Sequence, residues 1–474
     1  MNRNKKLLKN TIIYFIGNVS TRLLSFLLLP LYTVYLTPED YGKVDLLFTY
    51  TSIIIPIITL QITFAGFRYL YDTTDIKDQK SIISNTLIVN FFGLSTFILV
   101  YIFLWRKFQF EYGLFIILYL LLNTISSTLQ QLIRGLRKNE LYAIVGVIST
   151  IVQLLCNIIF ILGLGLRSAA LILSPTIAFF VSVLFIIITV KIHKYFDFKL
   201  VNKEVINQLL RYSLPLVPDA VCWWLLLGFG RMFLSYSHGI DAVGIYAVAN
   251  KFPSILTMFY SIFNLAWQEN SFSEYNKNDR DFYYSYMLNK LIKFIMPLII
   301  IAIPVTKIIS EIFIGKKFEG AYLYIPLLYI GVLISIIATF YGAGFESAKQ
   351  TKGILVSTLY AMITNILLNI ILTTRYSIYG VAIALVGANI VLLISRVKRS
   401  KKFFKINIEI SPTIIMSILI LVVFALHYID SMFAQLLSII LGIIMFGYYN
   451  IYLIIKIKDI IQIKVLKKEI NSKE

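Results

Sequence analysis

LTPEDYGKVDLLFTYTSIIIPIITL (residues 36–60) and SHGIDAVGIYAVANKFPSILTMFYSIF (residues 237–263) decide how the rest of the chain is read. In each, a long apolar segment ends in a short acidic turn. A glycine, Gly42 or Gly244, then opens a second apolar segment of more than 20 residues. A helix rises 1.5 Å per residue, so about 20 apolar residues match the hydrocarbon thickness of a bilayer, and a turn of a few residues sends the next run straight back. Residues 8–68 therefore read as a membrane hairpin and residues 208–266 as its counterpart.

Composition agrees. Of 474 residues, 58% are hydrophobic and 14% charged, and the mean hydropathy is +0.81. Soluble domains carry about 25% charged residues, so a water-soluble globule is excluded. The first apolar stretch, residues 7–36, is too long for a signal-peptide core, carries Arg22 in its middle and is expected to stay in the mature protein. Cys156 and Cys222 both fall inside apolar runs, which suits small apolar side chains better than a disulfide framework. The net charge of +20 resides mainly in loops between apolar runs, the distribution that membrane insertion produces, and nucleic acid is not expected as a partner.

Apolar runs between charge clusters give 14 transmembrane helices, at about 8–36, 43–68, 81–104, 113–133, 143–165, 168–190, 208–234, 241–266, 287–312, 322–343, 354–373, 377–395, 411–428 and 432–455. The runs do not alternate as β-barrel strands do, so the chain reads as an all-α polytopic membrane protein. With the N-terminus in the cytoplasm, the inner loops hold 29 Lys and Arg and the outer loops seven, which places both termini inside. The densest inner clusters, 191–212 and 396–409, divide the chain into six spans, six spans and a final pair. The expected units are an N-terminal bundle (1–190), a cytoplasmic linker running into helix seven (191–212), a C-terminal bundle (208–395), a basic loop (396–410), helices 13 and 14 (411–455) and a basic tail (456–474). Val205, Leu209 and Leu210 share one face of the linker, opposite Lys203, Glu204 and Asn207, as in an interfacial amphipathic helix.

The halves also echo each other in LCNIIFILGLGLRSAALIL (155–173) and LLNIILTTRYSIYGVAIAL (367–385), and in GLRKNE (135–140) and GFESAKQ (344–350). Matched segments after spans of one orientation imply parallel copies related by an axis along the membrane normal.

Ionisable residues at mid-bilayer are costly unless they meet water or a partner. Arg22 and Lys251 lie deepest and are expected either in a water-filled gap between the bundles or in a buried pair. Asp219 is the one acid assigned a similar depth, as their charge partner or as a proton carrier. Lys293, Lys251, Arg22 and Arg231 would form a basic column for an anionic group. Trp223, Trp224, Tyr246 and Asn250 are candidates for stacking on a sugar or bonding its hydroxyls, or for ordinary packing. The prolines of SLPLVPDA (213–220) mark a candidate hinge. Nucleotide-binding and metalloprotease motifs are absent, as are metal-spaced His and Cys. No cofactor or enzymatic activity is expected, and energy has to come from an H+ or Na+ gradient, the membrane potential or the substrate gradient.

The stretch KNTIIYFIGNVSTRLLSFLLLPLYTVYLTPEDYGKVDLL (9–47), with its long first helix, Pro30 near the outer end and the LTPEDYG turn, resembles the polysaccharide transporter branch of the multidrug/oligosaccharidyl-lipid/polysaccharide exporter superfamily. Arg134–Gly135 and the span count extend the resemblance along the chain. It implies a MATE-like pair of six-helix bundles plus a C-terminal helix pair in the bacterial cytoplasmic membrane. It also implies a flippase that moves undecaprenyl-pyrophosphate-linked oligosaccharide by alternating access for capsule, O-antigen or other surface polysaccharide assembly. Its expected partners are that lipid-linked oligosaccharide, membrane lipids and possible glycan polymerases and glycosyltransferases. Arg22 and Lys251 stand where cavity cations of this branch would be expected. Alternatives are an ion-coupled drug or metabolite exporter using Asp219, a flippase for a peptidoglycan or teichoic-acid lipid intermediate, and a non-transporting scaffold.

Overall fold

The computed structural model describes residues 26–108, 112–348, 350–429 and 431–471, and every regular element among them is helical. A bilayer demands this, because each backbone N–H and C=O at hydrocarbon depth has to be satisfied within its own segment. In chain order the helices are α1 (Leu29–Tyr35), α2 (Pro38–Ile58), α3 (Ile62–Asp72), α4 (Ile76–Phe108), α5 (Gly113–Gly135), α6 (Asn139–Ile158) and α7 (Ser168–Val190). After two short 3₁₀ turns come α8 (Lys203–Ser213), α9 (Leu216–His238), α10 (Ile240–Glu274), α11 (Arg280–Phe313), α12 (Ile325–Ser347), α13 (Thr351–Ser400), α14 (Ile410–His427) and α15 (Met432–Asn471).

Twelve helical segments among the described residues are long and apolar enough to cross a membrane. One of them, α13, is 50 residues long, about 75 Å if straight and far beyond one crossing. It doubles back at Ser377, whose φ of 50° lies in the left-handed region. There Gly380 sits against the carbonyl of Leu372, a closeness between residues eight apart that no straight helix gives. Farther along the two arms, Arg396 Nε donates to Ser357 Oγ at 3.3 Å, as antiparallel neighbours do.

Local sequence explains the key turn. Thr37 caps α2 by accepting from the Asp40 backbone N–H, Asp40 returns a bond to the Thr37 N–H, and Pro38 occupies the first turn, where its missing N–H costs nothing. The second expected span, 43–68, is not one helix. The chain breaks between α2 and α3 with Leu60 and Gln61 both left-handed, just after Pro56, and the Ile58 carbonyl there touches Gly93 of α4 so closely that a side chain has no room. The seventh expected span, 208–234, is likewise two helices, parted at Leu214–Pro215. Within α8, Leu209 is buried against Ile62 and Ala65 of α3, while Glu204, Asn207 and Gln208 face outward. The basic loop expected from residue 396 starts later, because α13 runs on to Ser400 and carries Arg396 into the protein interior at 2% exposure.

The two halves of the chain meet at the end of the bundle that carries the α1–α2 and α9–α10 turns. Gly42 lies against the Ile240 carbonyl and Gly244 against the Pro38 carbonyl, each glycine meeting the residue four places before the other. Thr33 Oγ1 donates to the Phe313 carbonyl at 3.1 Å, and the largest apolar core, including Tyr32, Tyr41, Val243 and Ala247, is continuous across the halves here. At the opposite end Leu70, Leu132, Ile133, Val145 and Ile186 form a core of N-terminal helices alone.

Candidate functional site

The α2 cap fixes where the helix begins, and seven residues on, about 10 Å along the axis, its side chain is Asp45. Facing it from α9 is Arg231, seven residues before the end of that helix. Arg231 Nε lies 2.9 Å from Asp45 Oδ2, with the two side chains 18% and 24% exposed. The approach has ion-pair distance without hydrogen-bond alignment, for neither atom makes an aligned hydrogen bond. The same guanidinium donates through Nη1 to the Leu227 carbonyl at 2.9 Å and lies 5.4 Å above the Tyr246 ring. Tyr246 belongs to α10 and is 2% exposed.

One turn beyond Tyr246, Asn250 and Lys251 project on either side of this pair. Lys251 is eleven residues, about 16 Å, along α10 from Ile240. It lines a cavity of about 100 Å³ whose other walls, Tyr32, Tyr41, Asp45, Phe48 and Gln153, all come from the N-terminal half. Asn250 and Arg231 line a second cavity of about 200 Å³ with Tyr246, Ser254, Thr257 and Ser335, where Asn389 donates to the Gly331 carbonyl at 3.2 Å. The charges of Asp45 and Arg231 both act on Lys251. The arrangement is thus two cations from the C-terminal half around one carboxylate from the N-terminal half, beside space for polar ligand atoms.

Several expected site residues lie elsewhere. Arg22 is outside the described residues. Lys293 leaves the proposed basic column: its Nζ pairs with Glu409 Oε2 at 2.5 Å and lies 5.8 Å from the Tyr449 ring, on the flank of α11 that faces the last two helices. Asp219, in the first turn of α9, has Arg396 as its charged neighbour, so the acid beside Lys251 is Asp45 instead. Trp223 packs with Leu226, Ala338, Ala361 and Leu392 inside the C-terminal half. Trp224 joins the halves, its Nε1 donating to the Thr49 carbonyl at 2.6 Å with Gly228 making room for the ring. Tyr246 and Asn250 do line the second cavity.

Two charged residues escaped the sequence reading. Asp45 drew no role near the start of the expected span 43–68, although counting from the Thr37 cap places it two turns into the helix. Arg396 was hidden in the basic run 396–402, and it is fully buried, donating from Nη1 to the Ala338 carbonyl at 2.7 Å with Gly342 leaving space for the guanidinium. No group of three or more His, Cys, Asp or Glu among the described residues is placed to hold a metal ion.

The fold is shared with known transporters. A multidrug resistance MATE family transporter of the MOP superfamily in its inward-facing conformation is similar with a TM-score of 0.67 at 14% identity, over 83% of this chain and 94% of that one. The lipid II flippase MurJ in an inward closed conformation is similar with a TM-score of 0.67 at 18% identity, over 94% of this chain and 98% of that one. A MOP-superfamily transporter from Pyrococcus furiosus, described as having a binding pocket of reversed polarity, is similar with a TM-score of 0.57 at 15% identity, over 88% and 95%. No curated protein matches the sequence significantly. The family model for polysaccharide biosynthesis proteins matches residues 7–267, which take in the first hairpin, Asp45, Arg231 and Lys251. On that match over more than half of its length, and with the all-helical fold of the MATE and MurJ structures, the chain belongs to the polysaccharide biosynthesis protein family.

Proposed function

We propose that the protein moves undecaprenyl-pyrophosphate-linked oligosaccharide from the inner to the outer leaflet of a bacterial cytoplasmic membrane by alternating access. The observation that carries this reading is the charge arrangement between the halves: Arg231 and Lys251 against the single carboxylate of Asp45, with both cations lining cavities. A pyrophosphate and its sugars cannot cross hydrocarbon unaided, whereas a polyprenyl tail remains in lipid. Arg matches phosphate oxygens in a planar fork, and Lys adds a mobile point charge. The hydroxyl- and amide-lined cavity at Asn250, Ser335 and Asn389 suits the first sugar beyond the phosphates.

In this reading the first apolar stretch and the two arms of α13 complete fourteen spans, arranged as two six-helix bundles and a C-terminal pair. Both termini are cytoplasmic, as the loop charges favour, so the closed end bearing Gly42 and Gly244 is the outer one. A proton or sodium gradient, or the membrane potential, resets the cycle.

The test is flipping of an undecaprenyl-pyrophosphate oligosaccharide in proteoliposomes. Lys251→Gln and Arg22→Gln should each lower the rate at least tenfold at equal protein content. Unchanged rates in both would reject the assignment.

A second reading has its own support. The likeness to a multidrug transporter is as high as that to the lipid II flippase, and Asp45 is a carboxylate at the same gap. Ion-coupled export of an organic cation would then depend on Asp45. Efflux of a cationic dye that is lost in Asp45→Asn, with no flipping of the lipid, would favour this reading over the first.

A further inference from the structure

Asp45 has no obvious reason to be there if the gap serves only an anion. A carboxylate beside Arg231 and Lys251 competes with any phosphate for the same donors. We propose that this competition is its role: Asp45 is the resident anion of the empty site, and the pyrophosphate of the cargo takes its place, releasing α2 from α9 and α10.

The geometry supports exchange. Asp45 is on the N-terminal half and its partner on the C-terminal half, so the ion pair ties the halves together. Its 2.9 Å approach lacks hydrogen-bond alignment, so a phosphate that meets the guanidinium fork squarely gains bonds Asp45 does not make. Lys251 lines the same cavity as Asp45, and Arg231, paired with Asp45, lines the second cavity, so a diphosphate that takes the place of the carboxylate has a cation on either side. Other contacts that join the halves, among them the glycine–carbonyl contacts, the Thr33–Phe313 and Trp224–Thr49 hydrogen bonds and the shared apolar core, carry no charge for a ligand to replace.

The arrangement also opposes empty cycling. Parting the halves without cargo would leave two cations uncompensated in a low-dielectric gap, which is strongly unfavourable. An incoming anion removes that penalty, and only a ligand with different affinity for the two states can shift their balance. The specificity this implies is for a group carrying at least two negative charges, since a singly charged headgroup gains little over Asp45 itself.

This inference rests on the phosphate-binding reading, and the experiment separates the two. Purified full-length protein in nanodiscs is titrated calorimetrically with inorganic pyrophosphate and, separately, with undecaprenyl pyrophosphate. Asp45→Asn should bind pyrophosphate at least tenfold more tightly than the wild type, Asp45→Glu about as tightly as the wild type, and Lys251→Gln more weakly. Tighter binding of the lipid form alone also supports exchange and identifies the lipid as the ligand. A carboxylate that merely supported the fold would give weaker or equal binding on removal, and that result overturns the exchange while leaving the anion site standing. No binding of either probe by any of the proteins overturns both. Should Asp45→Asn fail to fold, the wild type itself decides: saturating pyrophosphate should speed amide hydrogen exchange in residues 38–48 and 240–248, and unchanged exchange refutes the release of α2.

Discussion

The reciprocal contact of Gly42 and Gly244 gives a prediction whose sign and additivity both follow from geometry. An alanine Cβ at Gly244 would fall well inside contact distance of the Pro38 carbonyl oxygen, and one at Gly42 equally close to that of Ile240. Carbon–oxygen contacts between helices settle near about 3.3–3.6 Å, so the two turns have to part by about 1 Å. Backbone is on both sides, and no flexible side chain is there to yield. Overpacking of this kind costs about 1–3 kcal/mol. Alanine's higher helix propensity offsets up to about 1 kcal/mol of it, so each single substitution should destabilise the closed end by about 1–2 kcal/mol. Both substitutions require the same separation of the same two turns. Once either has forced it, the other costs little, and the double variant should fall short of the sum by at least about 0.5 kcal/mol. The assay is a double-mutant cycle of thermal unfolding in one detergent, with Gly447→Ala as control because its Cβ meets nothing within 4 Å. Strict additivity, or single variants no different from the control, would refute the reciprocal packing.

Two further outcomes follow from charged residues away from the gap. Arg396→Ala removes a buried guanidinium together with its bonds to Ala338 and Ser357, and should cost about 2–4 kcal/mol in thermal or denaturant unfolding, with Arg396→Lys recovering only part; wild-type stability would show that the side chain is not held as described. Lys293→Ala breaks the pair with Glu409, whose carboxylate side chain is 49% exposed, and the contact with the Tyr449 ring, so stability should fall by no more than about 1 kcal/mol and flipping should continue at the wild-type rate, whereas a tenfold loss of transport would return Lys293 to the cargo path.

The spans were legible because hydrocarbon imposes one rule on every helix that crosses it, and a run such as SAALILSPTIAFFVSVLFIIITV in α7 obeys that rule in isolation. The break at Leu60–Gln61 was hidden, since hydropathy measures how apolar a stretch is and not where it bends, whereas the prolines of SLPLVPDA marked the one at Leu214–Pro215. At the site, Lys251 and Arg231 were visible as costly charges in apolar segments. Asp45 was not, because what distinguishes it is a partner 186 positions away, and a single sequence carries no record of that pairing. Trp224 was ambiguous for a related reason: an indole at mid-span looks the same whether it faces a ligand or donates to the Thr49 carbonyl. Arg396 differs again, as its basic neighbours Lys398 and Arg399 made a buried charge look like part of a solvated loop.

If the protein flips a lipid-linked diphosphate as proposed, the distribution of charge between the halves bears on how that cargo is selected. The gap draws its cations from α9 and α10 and its carboxylate from α2, so parting the halves unbalances the site in proportion to how far they move. Had Asp45 been on α9 or α10 beside Arg231, the pair would travel together and opening would be indifferent to cargo. A neutral or cationic solute cannot compensate Arg231 and Lys251 once Asp45 has withdrawn, however well it fits the cavity. A diphosphate can, and its preference for the parted state grows with its charge. Under the proposed function, a carboxylate on one half facing cations on the other would therefore tie movement to the charge of the cargo, leaving the polar walls around Asn250 free to vary with the sugar.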